Sequence, residues 1–273
     1  MDLLAFDLDG TLLNRQQRLS EYTCDTLRRL DAAGIAYTVA TGRTHFAAKS
    51  CIADHHFPHW QIFKNGVEWW NPKDNAYRHR NFLTPDLINE TLLAFADHNI
   101  TPFVFCLEQD GSHKVYHSPL VGNLSDQIVN ELGAHEQLSL HPISDLSSNA
   151  IITNISAMGR PEIVDSLVSD CQKYSHLTAY SGGGIYTADA YWLDIHHSNA
   201  CKGSSLMELK AEMGAERVIA FGDGDNDISM FETSDEAFAT ENALEHIKKA
   251  ASGVIGHHDE DGVARYLRKR YDL

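Results

Sequence analysis

The stretch that decides the fold is "LLAFDLDGTLL", Leu3 to Leu13. Its apolar start, Leu3 to Phe6, has the length and composition of a strand buried on both faces, as in a parallel sheet. Two aspartates then follow, Asp7 and Asp9, before Gly10 breaks the run. If the chain stays extended through them, alternation at period two puts both carboxylates on one side. Two like charges so placed are unfavourable unless a cation shares the site.

Working outward, "SEYTCDTLRRLDAAG" sets Leu27 and Leu30 at helical spacing, with Ser20 as the cap and Gly34 as the stop. "IAYTVATG" is a second apolar strand, and this β-α-β order implies a parallel sheet with right-handed crossovers. After Thr84 the texture changes. "TPDLINETLLAFADHN" reads as a helix capped by Thr84 with Pro85 in its first turn, and "TPFVFCLE" and "HKVYHS" as a strand pair across "QDGS". Helix "NLSDQIVNEL", strand "AIITNISAM", helix "RPEIVDSLVSDCQKYS" and strands "HLTAY" and "GIYTADAYWLDIHH" complete an αββαβαββ block with a mixed or antiparallel sheet. From Lys202 the first texture returns, ending in "GVIG" and the helix "DGVARYLRKRYD". The chain therefore reads as α/β, with a core at residues 1–82 and 200–273 interrupted by a second unit at 83–199.

Composition narrows the function. Lys and Arg number 22 against 38 Asp and Glu, a net charge of −16 that repels nucleic acid and anionic membrane surfaces. Five scattered cysteines, none in a C-x-x-C pair, indicate neither a disulfide framework nor a zinc site and suit a reducing compartment. No run approaches the roughly 18 apolar residues of a membrane span, so a cytoplasmic protein is expected.

Four pieces carry chemistry: Asp7 to Thr11 after the first strand, Thr41-Gly42-Arg43 after the second, Lys202 at a helix start, and "GDGDND", with Asp223, Asn226 and Asp227, after a later strand. Ligands of open parallel sheets bind outside the carboxyl ends of the strands, where three of these pieces fall. Converging carboxylates, a hydroxyl and an ammonium suit a phosphate beside a hard cation such as Mg²⁺.

In these residues the chain resembles the haloacid dehalogenase-like phosphatases, and the insertion resembles the type IIB cap of their Cof-type subfamily. "DLDGT", "TGR", "KG" and "GDGDND" occur in the family's order, and "KNG" (Lys64 to Gly66) is similar to a subfamily element. The resemblance implies a Rossmann-like doubly wound parallel core with an α+β cap that selects the leaving group. It also implies a Mg²⁺-dependent phosphatase of small phosphorylated metabolites. Asp7 would be the nucleophile and Asp9 the general acid and base. Thr41, Gly42, Lys202 and Asn226 would hold the phosphoryl group, and Asp7, the Asp9 backbone carbonyl, Asp223 and Asp227 the metal. Arg43 and Asn65 would face the substrate or support the loop. Two other readings stay open: phosphoryl transfer of the phosphomannomutase type, and a non-catalytic switch like a response-regulator receiver.

Other features have plainer explanations. "DGDNDISMFETS" lacks the Gly and Glu of a calcium loop. The pairs His55-His56, His196-His197 and His257-His258 are expected on exposed loops, "SGGGIY" (Ser181 to Tyr186) in a turn, and Arg268, Lys269 and Arg270 on a solvated helix face.

Overall fold

The computed structural model describes residues 1–108, 113–133, 138–183 and 190–273. The chain forms two compact units, Met1–Arg80 with Ala200–Leu273, and Asn81–Asn199. The first opens with β1 (Asp2–Phe6), α1 (Glu21–Ala32), β2 (Ala36–Val39), α2 (His45–Lys49) and a three-stranded hairpin, β3 (Gln61–Phe63), β4 (Glu68–Asn71) and β5 (Ala76–His79). The inserted unit runs α3 (Pro85–Asp97), β6 (Phe103–Leu107), β7 (His113–His117), α4 (Gly122–Gly133), β8 (Leu138–Pro142), β9 (Ile151–Gly159), α5 (Pro161–Cys171), β10 (Leu177–Gly183) and β11 (Tyr191–His197). The first unit then resumes with α6 (Lys202–Met213), β12 (Arg217–Gly222), α7 (Ile228–Thr233), β13 (Glu236–Thr240), α8 (Glu245–Ala250), β14 (Gly253–Ile255) and α9 (Gly262–Tyr271).

The core sheet is parallel throughout, in the order β14-β13-β12-β1-β2. Both faces are covered, as the apolar run in β1 requires. Leu4 and Phe6 point into a cluster with Leu27, Leu30 and Leu267. Leu3 and Ala5 point the other way, among Leu206, Leu209 and Phe231. Helix α1 starts where expected: Ser20 Oγ accepts the Thr23 N–H at 2.9 Å, and Gly34 follows the helix at φ +70°. Because β1 lies between β12 and β2, the segments leaving all three strands emerge side by side.

The hairpin β3-β4-β5 was not legible in advance. Trp69 is fully buried in it, Arg78 lies over the Trp60 ring at 4.4 Å, and Arg78 and Arg80 pair with Glu212 and Glu208 of α6. That buckle ties the hairpin to the helix that begins with Lys202. Helix α9 is less solvated than its charges suggest. Arg268 reaches Asp25 and Thr26 of α1, and Arg270 grips Glu236 of β13 with two bonds of 2.7 Å.

The inserted unit has a six-stranded sheet in the order β10-β11-β9-β6-β7-β8, antiparallel except for β7 and β8. Strand β8 is an addition to the sequence reading, whose paired strands β6-β7 and β10-β11 are present. The turn "QDGS" lies outside the described residues. Ser181 to Gly183 continue β10 instead of turning, and Gly184 to Tyr186 again lie outside them. Two histidines also differ from expectation. The His55 side chain is 5% exposed, with Nε2 2.7 Å from the buried Tyr37 hydroxyl, and His196 is fully buried in β11. Tertiary packing, which adjacent-residue patterns do not encode, covers them. Among the described residues no helix is long and apolar enough to cross a membrane.

Phe221 of β12 is fully buried, its ring centroid 5.3 Å from Phe6 and 5.7 Å from Phe238. Phe221→Ala should cost about 3–5 kcal/mol of stability, read as a lowered urea midpoint. A loss below about 1 kcal/mol would mean that this aromatic row does not hold the sheet.

Candidate active site

The chain leaves β1 at Phe6, and the Asp7 N–H makes one more sheet bond, to Phe221 O at 2.9 Å. A wide turn over Leu8–Leu12 follows, broken at Asp9 (ψ 127°) and Gly10 (φ 71°, ψ 1°). The turn cancels the period-two alternation, so the Asp7 and Asp9 side chains do not share a basic side chain. Each has its own. Gly10 is required here: at its positive φ, a Cβ would also fall 2.2 Å from Asp223 Oδ2.

Asp7, 6% exposed, is paired with Lys202, the first residue of α6. The Lys202 Nζ is 2.6 Å from Asp7 Oδ1 and 2.6 Å from Asp227 Oδ1. A cation in a helix's first turn runs against the helix dipole, so the carboxylates hold it there. Asp227 is fully committed. Its Oδ2 accepts the N–H groups of Asp223 (2.8 Å) and Gly224 (2.9 Å), which folds the loop after β12. Asp223 Oδ1 in turn accepts the Thr11 hydroxyl at 2.9 Å.

Electrostatics follow from this crowding. Burial pushes the Asp7 carboxyl well above its usual range, against the pull of Lys202, and Asp227, Asp223 and Asp9 push it further. Burial opposes the Lys202 charge, but Asp227 and Asp7 outweigh it and hold the ammonium above its ordinary value. Burial and then Asp227 raise Asp223 to about 7. Oxygens of Asp7, Asp223 and Asp227 all lie within 4.8 Å of one another. Three carboxylates against one ammonium leave an excess of negative charge that a divalent cation matches, and oxygen donors suit Mg²⁺. Asp7 keeps one oxygen without a hydrogen bond among the described residues, whereas Asp227 is engaged by both of its own and Asp223 by Thr11 at 2.9 Å and, more loosely, by Asn242 at 3.4 Å.

Asp9 turns outward, its side chain 49% exposed, onto Arg43. The pair is bidentate, with Nε to Oδ2 and Nη2 to Oδ1 both at 2.6 Å. The other edge of the guanidinium meets Ala47 O (3.4 Å) and Cys51 Sγ (3.2 Å) of the α2 region. The hydrogen bonds to Asp9 outweigh burial and raise Arg43 above its usual value.

Thr41, buried beyond β2, accepts the Arg43 N–H on its hydroxyl at 3.2 Å and the Asn65 N–H on its carbonyl at 3.0 Å. Asn226 Nδ2 donates to Asn65 Oδ1 at 3.0 Å, and both side chains close on Gly42, where a Cβ would lie 3.4 Å from each. All ten residues singled out in the sequence thus lie in the first unit, in three linked groups at the carboxyl ends of β1, β2 and β12. Thr11, the last residue of the first motif, binds Asp223, and two neighbours had escaped notice, Thr240 and Asn242, whose side chains both donate to Gly10 O. Position at the end of β13, for Thr240, and just past it, for Asn242, was the available signal.

The chain matches the family model described as haloacid dehalogenase-like hydrolase over residues 4–267. It is 25% identical to the 5-amino-6-(5-phospho-D-ribitylamino)uracil phosphatase YitU of Bacillus subtilis (strain 168), across 99% of this chain and 98% of that one. Among solved structures, a haloacid dehalogenase-like hydrolase from B. subtilis superposes with a TM-score of 0.79 at 23% identity, covering 98% of this chain and 99% of the other. A HAD subclass IIB sugar phosphatase superposes with a TM-score of 0.74 at 20% identity, covering 100% of both chains. The mixed α/β architecture is that of these structures.

A folded value of about 7 for Asp223, raised from 3.8, has a definite sign in stability. Its proton stabilises the cation-free protein fully below about pH 4, and that contribution is lost as pH rises through about 7. Asp223→Asn should therefore remove part of the fall in Tm across this window in chelator-treated protein. Parallel Tm profiles for variant and wild type would show that Asp223 titrates normally.

Proposed function

The chain belongs to the haloacid dehalogenase-like hydrolases, and we propose that it is a Mg²⁺-dependent phosphatase of small phosphorylated metabolites that works through an aspartyl phosphate on Asp7. The observation that supports this most is the Asp7 carboxylate itself. One oxygen is fixed by Lys202 at 2.6 Å, and the other has no hydrogen bond among the described residues. A buried, oriented carboxylate with one oxygen to spare is equipped to be a nucleophile.

In this reading an Asp7 oxygen attacks phosphorus, the bond from phosphorus to the leaving oxygen breaks, and Asp9 gives that oxygen a proton. Water then attacks phosphorus and loses its proton to Asp9. The bond to Asp7 breaks, returning the carboxylate and inorganic phosphate. Thr41, the Gly42 N–H, Lys202 and Asn226 hold the phosphoryl oxygens, with Asn65 orienting Asn226 through their 3.0 Å bond. Mg²⁺ would be held by Asp7, the Asp9 carbonyl and Asp223, with Asp227 behind them. When bound it screens the charge of Asp7 from that of the phosphate. Both Asp9 oxygens are taken by the Arg43 guanidinium, so meeting the leaving oxygen requires Asp9 to turn away from Arg43. The inserted unit, a type IIB cap in this reading, selects the leaving group.

The test is a screen of sugar phosphates, nucleotides and other metabolite phosphates with Mg²⁺, measuring inorganic phosphate and kcat/KM. A phosphoribityl compound belongs in it because the B. subtilis relative is named for one. Release of phosphate is expected, whereas isomerised sugar phosphate without it would mean transfer. Asp7→Asn should lower kcat by about three orders of magnitude or more with the fold intact, and chelation of Mg²⁺ should abolish turnover. Turnover by Asp7→Asn above a tenth of wild type would remove Asp7 from the role.

A further inference from the structure

The Asp9-Gly10 turn is held from outside its own segment. Gly10 O accepts two side-chain donors, Thr240 Oγ1 at 3.0 Å and Asn242 Nδ2 at 2.8 Å. Asn242 Nδ2 also lies 3.4 Å from Asp223 Oδ2, and Asn242 Oδ1 accepts the His258 N–H at 3.2 Å. Both amide hydrogens and the amide oxygen therefore have assigned partners. The orientation of the amide follows, because only its oxygen can accept from a backbone N–H.

We propose that Asn242 is a positioning residue for the proposed cation site, bridging the Gly10 carbonyl and the Asp223 carboxylate so that the turn after Asp7 and the loop after β12 stay in register. This rests on the phosphatase reading of the site. Asn242 is fitted for the task by what surrounds it. Gly10 adopts φ 71°, a conformation with no side chain to steady it, and Asp223 sits where a Gly10 Cβ would be. The Thr11 hydroxyl is one link between the turn and Asp223, at 2.9 Å, and the Asn242 amide is a second that contacts both the Gly10 carbonyl and the Asp223 carboxylate. The same amide is anchored by the loop that carries His258, whose Nδ1 lies 2.8 Å from Leu13 O, just past the turn. Thr240, fully buried, shares the Gly10 bond but not the Asp223 bond, so the two residues separate the parts of the clamp.

Two readouts on purified full-length protein test this, neither of which needs turnover. The first is Mn²⁺ affinity by calorimetry. The second is hydrogen exchange of the Leu12 and Leu13 amides without metal, which bond Asp7 O and Leu8 O inside the turn. Asn242→Ala should weaken Mn²⁺ binding about tenfold, while Thr240→Val stays within about twofold of wild type. Both should speed exchange of the two amides by about fivefold or more. Asn242→Ser replaces the alanine variant if that one fails to fold. Wild-type affinity and exchange in the Asn242 variant would overturn the proposal, as would a lowered Tm with Mn²⁺ affinity unchanged. Absence of Mn²⁺ binding in the wild type would instead refute the cation site, and exchange alone would then judge the clamp.

Discussion

Lys202 places its ammonium, fully shielded from solvent, 2.6 Å from both Asp7 and Asp227, and so joins the end of β1, the start of α6 and the loop after β12 at one point. Burying a charge is tolerable only with partners that return the lost hydration, and here two carboxylates do so. Removing one member of such a group typically costs about 3–5 kcal/mol, because the remaining charges stay buried. The arrangement propagates outward. Asp227, held by Lys202, fixes the N–H groups of Asp223 and Gly224, and Asp223 then meets Thr11 and the Gly10 turn.

The same group underlies the cation and phosphate sites proposed above. One ammonium does not balance three carboxylates, and burial together with the nearby Asp227 raises Asp223 to about 7. The site also divides into a fixed and an open part. Asp7, Lys202 and Asp227 are buried, while the Asp9 side chain, just before the glycine, is 49% exposed and held among the described residues by Arg43. Such a division suits the roles proposed for Asp7, as a nucleophile held still, and for Asp9, as an acid and base that turns.

The core was legible in the sequence where burial on both faces leaves an unmistakable apolar run, as in β1, β2 and β12. Strand β8 escaped because "LSLHP" is half exposed along its length, and the β3-β4-β5 hairpin because its stability rests on Trp69 and on arginines that pair with a distant helix. Most of the site residues could be singled out because they follow a strand or begin a helix, while Asn65 was reached only through the resemblance of "KNG" to a subfamily element, the strand before it being unread. Their partners could not. Period-two logic paired Asp7 with Asp9, but the turn at Gly10 sends one to Lys202 and the other to Arg43. Asn242 stands 19 residues from Asp223 in sequence and meets it only through the adjacency of β12 and β13.

The central claim, that Asp7 is the group that takes the phosphoryl, is open to direct chemical reading. The protein is mixed with a phosphate monoester that it turns over, quenched in acid within one turnover, and reduced with borohydride, which converts an aspartyl phosphate to homoserine. Peptide mass spectrometry should then find homoserine at position 7 and unchanged aspartate at positions 9, 223 and 227. Conversion at one of those other positions, or none anywhere in repeated quenches during steady turnover, would contradict the account.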